Sequence, residues 1–374
     1  MTLLKQPARA PRLYTLQVYR AVAAILVVLF HVTFFVEDRF GETFLGNAFA
    51  FGYTGVDFFF VLSGFIILYT HLGKQGRQQH VGSYLYRRLF RIYPLYWSIA
   101  TVKVGWILLV PTVAKEYERE WGYLFKSYLL IPQDVLPIIG AAWTLSHELL
   151  FYLLFALTLV CSVRATLALA GGWVLLTALL YGGHKLGLAW VPNHYLVWFL
   201  FNERNLEFLL GCLGAYIVYT RWGRAMNYGG VIALLGLLLL IGSSTYLTWN
   251  GGVPSYLFFF GLPSFLLILG SAILELGKAA RWPSWLVLLG DASYSIYLAH
   301  GMAINLFIVV GVWIGFFQLT GMMLGAVIMS IFAVFGGLCV YFVIERPLLN
   351  RMRQQADAKE RSNAAPYAVA NSLF

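Results

Sequence analysis

Of the 374 residues, 60% are hydrophobic and 11% charged, less than half the charged fraction of about 25% usual in soluble domains. That composition excludes a soluble globular enzyme. It also excludes a nucleic-acid-binding role despite a formal net charge of +10, because most Lys and Arg fall in short stretches between apolar runs.

The first apolar run, from about Leu13 to Phe35, is long enough to cross a bilayer as a helix. It carries Arg20 and His31, eleven positions apart. At ~100° and ~1.5 Å per residue the two point the same way, roughly 16 Å apart along the axis. Two readings fit them: Arg20 snorkelling to headgroups with an interfacial His31, or a functional pair on one face. Basic residues ahead of this run imitate a signal peptide, and Ala48-Phe49-Ala50 imitates a cleavage site. The run is too long for one, and Glu37, Asp38 and Glu42 intervene, so the first span is expected to stay.

Further runs lie near 51–70, 91–111, 139–160, 165–183, 203–220, 228–247, 255–275, 286–313 and 320–344, and 190–203 is a candidate re-entrant piece. Tyr93, Tyr96 and Trp97 fit an aromatic belt. Lys5, Arg9, Arg12, Lys74, Arg77, Arg87, Arg88, Arg91, Arg164, Arg221, Arg224, Lys278, Arg281 and the cluster from Arg346 onward collect on one side. Only Arg39, Lys115, Arg119, Lys126, Lys185 and Arg204 fall on the other. The expectation is an all-α polytopic membrane protein with about ten transmembrane helices and both termini cytoplasmic. Residues 1–350 form the membrane domain and 351–374 a short, disordered cytoplasmic tail.

The polar residues inside the runs are few. Asp57 enters the second span at the expected depth of His31, either to orient that imidazole or to satisfy free helix N-terminal amides. Ser63 and Gly64 lie deeper, where small residues let helices approach. Glu148 falls near the midplane of the fourth span and must pair, be protonated or line a wet cavity; the adjacent His147 points elsewhere. Tyr294, Tyr297 and His300 continue one face of the ninth span, lining a channel or gluing helices. Arg88 and Arg91 are three apart at the start of the third span, so both forks can meet one phosphorylated ligand. The plainer reading is positive-inside charge. Glu345 is a candidate structural partner for one of these arginines. Cys161, Cys212 and Cys339 lack the spacing of a metal or redox site, and no nucleotide-binding or hydrolase motif occurs.

In order, these motifs resemble the acyltransferase 3 family of membrane proteins over nearly the whole chain. They are Arg20 with His31, Phe59-Phe60-Val61-Leu62-Ser63-Gly64-Phe65, Arg88 with Arg91, and Trp143, Leu145, Glu148, Phe151 and Tyr152. Two follow late: Ser293-Tyr294-Ser295-Ile296-Tyr297-Leu298-Ala299-His300 and Glu345-Arg346-Pro347. The opening segment is most similar to the exopolysaccharide-modifying branch. The resemblance implies a ten-span enzyme of the bacterial cytoplasmic (inner) membrane. Such an enzyme moves an acyl group, usually acetyl, from cytoplasmic acyl-CoA to a hydroxyl of an extracytoplasmic glycan or lipid-linked oligosaccharide. Arg20, Arg88 and Arg91, with Tyr294, would hold CoA. His31, oriented by Asp57, would be the general base; Glu148 would support it, with Ser63, Tyr297 and His300 along the channel. No metal and no nucleic acid are implied, membrane lipids surround the chain, and a homo-oligomer is left open. With a short tail and no long outer loop, the chain is expected to complete the transfer alone, without a periplasmic esterase-like domain. The competing reading is a transporter or flippase for a lipid-linked saccharide, or an acyl-group translocator feeding a separate transferase.

Overall fold

The computed structural model describes residues 11–72, 81–110, 115–188, 194–220, 227–352 and 354. Most of the expected tail, and part of the 190–203 segment, therefore lie outside the described residues. Among those described there are helices and no strands. The long helices are α1 (Tyr14–Phe40), α2 (Gly55–Leu72), α3 (Val81–Leu109), α4 (Trp143–Thr158), α5 (Val163–Lys185), α6 (Arg204–Tyr219), α7 (Gly229–Asn250), α8 (Leu262–Gly277), α9 (Ser293–Trp313) and α10 (Met322–Val340). Nine of them, with their flanking turns, are long and apolar enough to cross a membrane. The exception is α6, sixteen residues or about 24 Å, shortened by polar residues in its first turn.

What holds α6 in the bundle is close backbone approach to α2, which it follows in parallel. Gly64 lies against the Phe208 carbonyl and the Cys212 amide, and Gly211 lies against the Val61 carbonyl. A Cβ at either position would enter the neighbour's backbone, so these glycines set the helix separation. The packing reading of Gly64 holds.

Interhelix contacts sort the helix ends onto two faces. Glu275 near the end of α8 accepts from the Tyr14 and Thr15 amides at 2.6 and 3.0 Å, serving N–H groups that the first turn of α1 cannot pair. Arg12 pairs with Asp291 just before α9, and Glu345 after α10 accepts from Ser295 at 2.5 Å. This is the terminal face. At the opposite, distal face, Glu203 before α6 accepts from Tyr181 of α5 and from the Tyr256 amide leading into α8. Alternating ends of this kind fit ten crossings, with α6 counted as one of them.

The organising helix is α1, which supplies Val27 to the core with α2, α3 and α4, Leu16 and Ala23 to the core with α6 and α8, and Ala24, Val28 and Val32 to the core with α9 and α10. It runs nine residues past His31 before Gly41 ends it in the left-handed conformation, farther than the apolar run ending near Phe35. Three successive left-handed residues, Leu45, Gly46 and Asn47, then reverse the chain. The return segment folds down onto α1, with Gly52 against the Leu26 carbonyl and Gly55 against that of Ala23. Tyr93, Tyr96 and Trp97 do more than mark an interface. They donate to the carbonyls of Leu129, Ser127 and Tyr128, at the C-terminal end of the short helix Trp121–Leu129.

Candidate active site

A cavity of about 850 Å³, counted out to its mouth, opens between α1, α2, α3, α4 and α9. Into it come Arg20 from α1, Ser63 from α2, Arg88 and Arg91 from α3, Glu148 and Tyr152 from α4, and Tyr294 and Tyr297 from α9. Seven of the ten residues singled out in the sequence thus share one chamber. Their convergence needs helical spacing: Arg88 and Arg91, like Tyr294 and Tyr297, sit three apart on one face.

The chamber is rich in cations. Among the described residues, none of its three guanidinium groups has a carboxylate within ion-pair distance. Each is held by neutral contacts where contacts are present: Arg20 Nε donates to Ser293 Oγ at 3.1 Å, and Arg88 lies 5.5 Å from the ring centres of both Tyr84 and Tyr152. The one acid in the chamber, Glu148, accepts from the Tyr152 hydroxyl. Glu345 does not pair with an arginine as anticipated; a five-residue π-turn, Tyr341–Glu345, buries it and aims it at Ser295. Tyr294 donates to the Ile92 carbonyl at 3.0 Å and ties α9 to α3 beside Arg91.

Beyond the inner wall of the chamber, His31 meets His300, ring centres 4.6 Å apart. Tyr297 joins the two regions, lining the chamber while its own carbonyl receives Nδ1–H of His300 at 2.6 Å. His31 Nδ1 likewise faces the Val27 carbonyl at 2.9 Å. A carbonyl only accepts, so both Nδ1 atoms carry hydrogen, and each neutral ring presents its Nε2 lone pair. An imidazole oriented in this way can accept a proton.

Backbone carbonyls, not Asp57, fix the histidine tautomers. Because the return segment starts α2 at the depth of Ala23 and Val27, Asp57 lies away from the level of His31. Asp57 is instead fully buried and accepts from Arg204 Nε at 2.8 Å. Its expected contact with His31 gives way to this ion pair.

Around that pair lies a second polar centre that sequence reasoning missed. Arg204 stacks 4.0 Å from the centre of the Tyr256 ring, with the Trp143 ring 5.8 Å away. Glu207 is fully buried beside Asp57 and Arg204, and neither of its oxygens receives a donor among the described residues. Glu203 accepts from Ser255, Tyr181 and the Tyr256 amide. A second π-turn, Leu257–Gly261, brings Gly261 against Glu207, and π-turns often accompany functional sites. One signal was present: Glu203, Arg204 and Glu207 open an otherwise apolar helix, and ionisable residues there are costly. His147 points away from Glu148, as expected, to bond Asn205 of α6 at 2.8 Å.

The chain is 31% identical over 325 residues, 82% of its length and 93% of the relative's, to the exopolysaccharide production protein ExoZ of Rhizobium meliloti (strain 1021). It is 24% identical to the O-acetyltransferase OatA of Staphylococcus aureus (strain NCTC 8325 / PS 47) over 75% of the chain. It is also 24% identical to the peptidoglycan O-acetyltransferase OatA of Listeria monocytogenes serovar 1/2a (strain ATCC BAA-679 / EGD-e) over 81% of the chain. It spans about half the length of those two proteins, 49% and 51%. No solved structure matches. The acyltransferase 3 family model, described as an acyltransferase domain, matches residues 13–345, from the residue before α1 to the buried Glu345, and the chain belongs to that family of membrane acyltransferases.

Proposed function

We propose that the protein is an O-acetyltransferase that takes an acetyl group from cytoplasmic acetyl-CoA and places it on a hydroxyl of an extracytoplasmic glycan, in a bacterial inner membrane. The observation that carries this reading is the chamber: three guanidinium groups with no carboxylate within ion-pair distance among the described residues, on the side of an imidazole pair with oriented lone pairs. CoA carries several phosphates, and guanidinium forks suit them. The excess of Lys and Arg toward the terminal face supports a cytoplasmic side there, and with it a mouth open to CoA. Names of the relatives, one an exopolysaccharide production protein and two O-acetyltransferases, point to a saccharide acceptor.

In this mechanism Arg20, Arg88 and Arg91 hold the CoA phosphates, with Tyr294 fixing the wall beside Arg91. The pantetheine arm passes Ser63 and Tyr297 toward His31. His31 Nε2 takes the proton of the acceptor hydroxyl, and the oxygen attacks the thioester carbonyl. The C–S bond breaks, the ester forms, and the proton passes from His31 to the departing thiolate, giving CoA. His300 packs against His31 and limits its rotation. Glu148, bonded to Tyr152, shapes the chamber. Asp57 acts at a distance from this step, through Arg204.

Reconstitution in liposomes tests the reading. With acetyl-CoA on the terminal side, glycan on the distal side and no other protein, acetylated glycan is the expected product. CoA release without glycan product, restored by an added periplasmic fraction, would instead identify an acyl relay. Saccharide movement without acetyl-CoA consumption would identify a transporter.

A further inference from the structure

The second polar centre has no part in holding CoA, yet it is connected to the histidines. The Tyr53 ring lies 5.2 Å from Phe30, and Phe30 lies 5.0 Å from His31. On its other side, the Tyr53 hydroxyl bonds that of Tyr256 at 2.8 Å, and Tyr256 covers Arg204. A line of rings thus runs from Arg204 to the imidazole pair.

Arg204 is held as a ligand-binding group is held. Its Nε is spent on Asp57, the Tyr256 ring fixes its plane, and its two Nη groups have no hydrogen-bond partner among the described residues. The side chain is 19% exposed, so a ligand can reach it. The Tyr53–Tyr256 hydroxyl pair shares one hydrogen and leaves the other free to donate.

Charge narrows what could bind. The charge of the one guanidinium is already answered by Asp57 at 2.8 Å, and the fully buried Glu207 lies beside both. A phosphate or other polyanion would find that charge already paired and a carboxylate beside it. An uncharged polyhydroxylated ring needs no free charge: its oxygens can accept from the Nη groups and its hydroxyls can pair with the tyrosines.

Building on the O-acetyl transfer reading, we propose that Arg204, with Tyr53 and Tyr256, forms the acceptor subsite and binds an uncharged sugar unit of the glycan. The neighbouring hydroxyl would then reach His31 past Phe30. Asp57 and Glu207 are positioning residues for Arg204. The subsite makes the protein selective by charge at two separate places, polyanionic donor at one and neutral sugar at the other.

The test uses the full-length protein in nanodiscs with acetyl-CoA. The acceptor probe is the set of repeat-unit oligosaccharides from de-O-acetylated extracellular polysaccharide of the organism that carries the gene. Arg204→Gln and Tyr256→Leu are each expected to raise the oligosaccharide KM tenfold or more, while the acetyl-CoA Kd stays within twofold. Inorganic pyrophosphate is expected to compete with acetyl-CoA and not with the oligosaccharide. An unchanged oligosaccharide KM in both variants, with transfer intact, overturns the subsite and leaves the enzyme reading standing. Pyrophosphate competing with the oligosaccharide overturns the neutral-sugar assignment. If Arg204→Gln also loses acetyl-CoA binding through misfolding, Tyr256→Leu alone decides. Wild-type protein that binds acetyl-CoA but acetylates no oligosaccharide would overturn the transfer reading itself.

Discussion

The chamber and the Arg204 centre sit on different sides of α2 and differ in how their guanidinium groups are partnered. In the chamber three guanidinium groups accompany one carboxyl group, and among the described residues none of the three has an acidic partner at ion-pair distance. Around Arg204 one guanidinium accompanies three carboxyl groups and has a 2.8 Å partner in Asp57. Apolar surroundings make an unpaired charge costly. Unpaired cations in the chamber are therefore best explained by an anionic ligand, whereas the ion-paired Arg204 is a rigid donor kept in place by its own protein. An arginine's neighbours, more than its depth, tell which of these uses it serves.

The largest effect is expected where the two regions meet. His31→Ala removes the imidazole that both substrates would approach, and loss of a general base typically costs about 10² to 10⁴ in rate. Acetyl-CoA affinity should survive, because no chamber arginine is altered. Steady-state transfer together with isothermal titration checks both halves, and a variant acetylating glycan at the normal rate would remove His31 from the chemistry.

Next come the chamber cations. Arg88→Gln and Arg91→Gln should each weaken acetyl-CoA binding by about 1.5–3 kcal/mol, the usual value of a hydrogen bond to a charged group. The loss should shrink for a dephosphorylated pantetheine thioester, which lacks the charges these residues answer. Equal losses for both donors would mean that the arginines serve the fold instead.

A comparable cost in stability, without any change of charge, is expected at the seam between the regions. Gly211→Ala places a methyl group into the Val61 carbonyl of α2. Overpacking of this kind costs about 1–3 kcal/mol, read as a lowered Tm in detergent. Because α2 carries Asp57 on one side and Ser63 on the other, both regions should loosen together.

The chain's helices were legible because bilayer-length apolar runs leave little choice. Even α6 was anticipated, though polar residues shorten it. Motif spacing also gave the shared faces: Arg88 with Arg91 and Tyr294 with Tyr297 needed only helical periodicity, while their meeting in one chamber depends on how the helices pack. What stayed hidden depends on depth and on distant neighbours. The chain reversal at Leu45, Gly46 and Asn47 lowers the start of α2, and no hydropathy pattern reports that, so Asp57 was matched to the wrong partner. His31 and His300 are brought side by side only by the packing of α1 on α9. Arg204 lay at a span boundary, where a positive charge ordinarily reports topology.

The smallest effect belongs to a cation at the same face as the chamber that is outside it. Arg12 pairs with Asp291 at 2.5 Å, and the two side chains are 47% and 30% exposed. An exposed pair of this sort contributes about 0–1 kcal/mol, since water screens it and long side chains lose freedom to form it. Its link between the start of α1 and the approach to α9 is backed by stronger ties nearby, among them Glu275 to the Tyr14 and Thr15 amides. Arg12→Gln should therefore leave Tm nearly unchanged and the acetyl-CoA Kd within twofold. A marked loss of acetyl-CoA affinity would show that general positive charge at the terminal face draws the donor in. No change, beside large losses at Arg88 and Arg91, would locate recognition in the chamber, where among the described residues the guanidinium groups have no carboxylate within ion-pair distance.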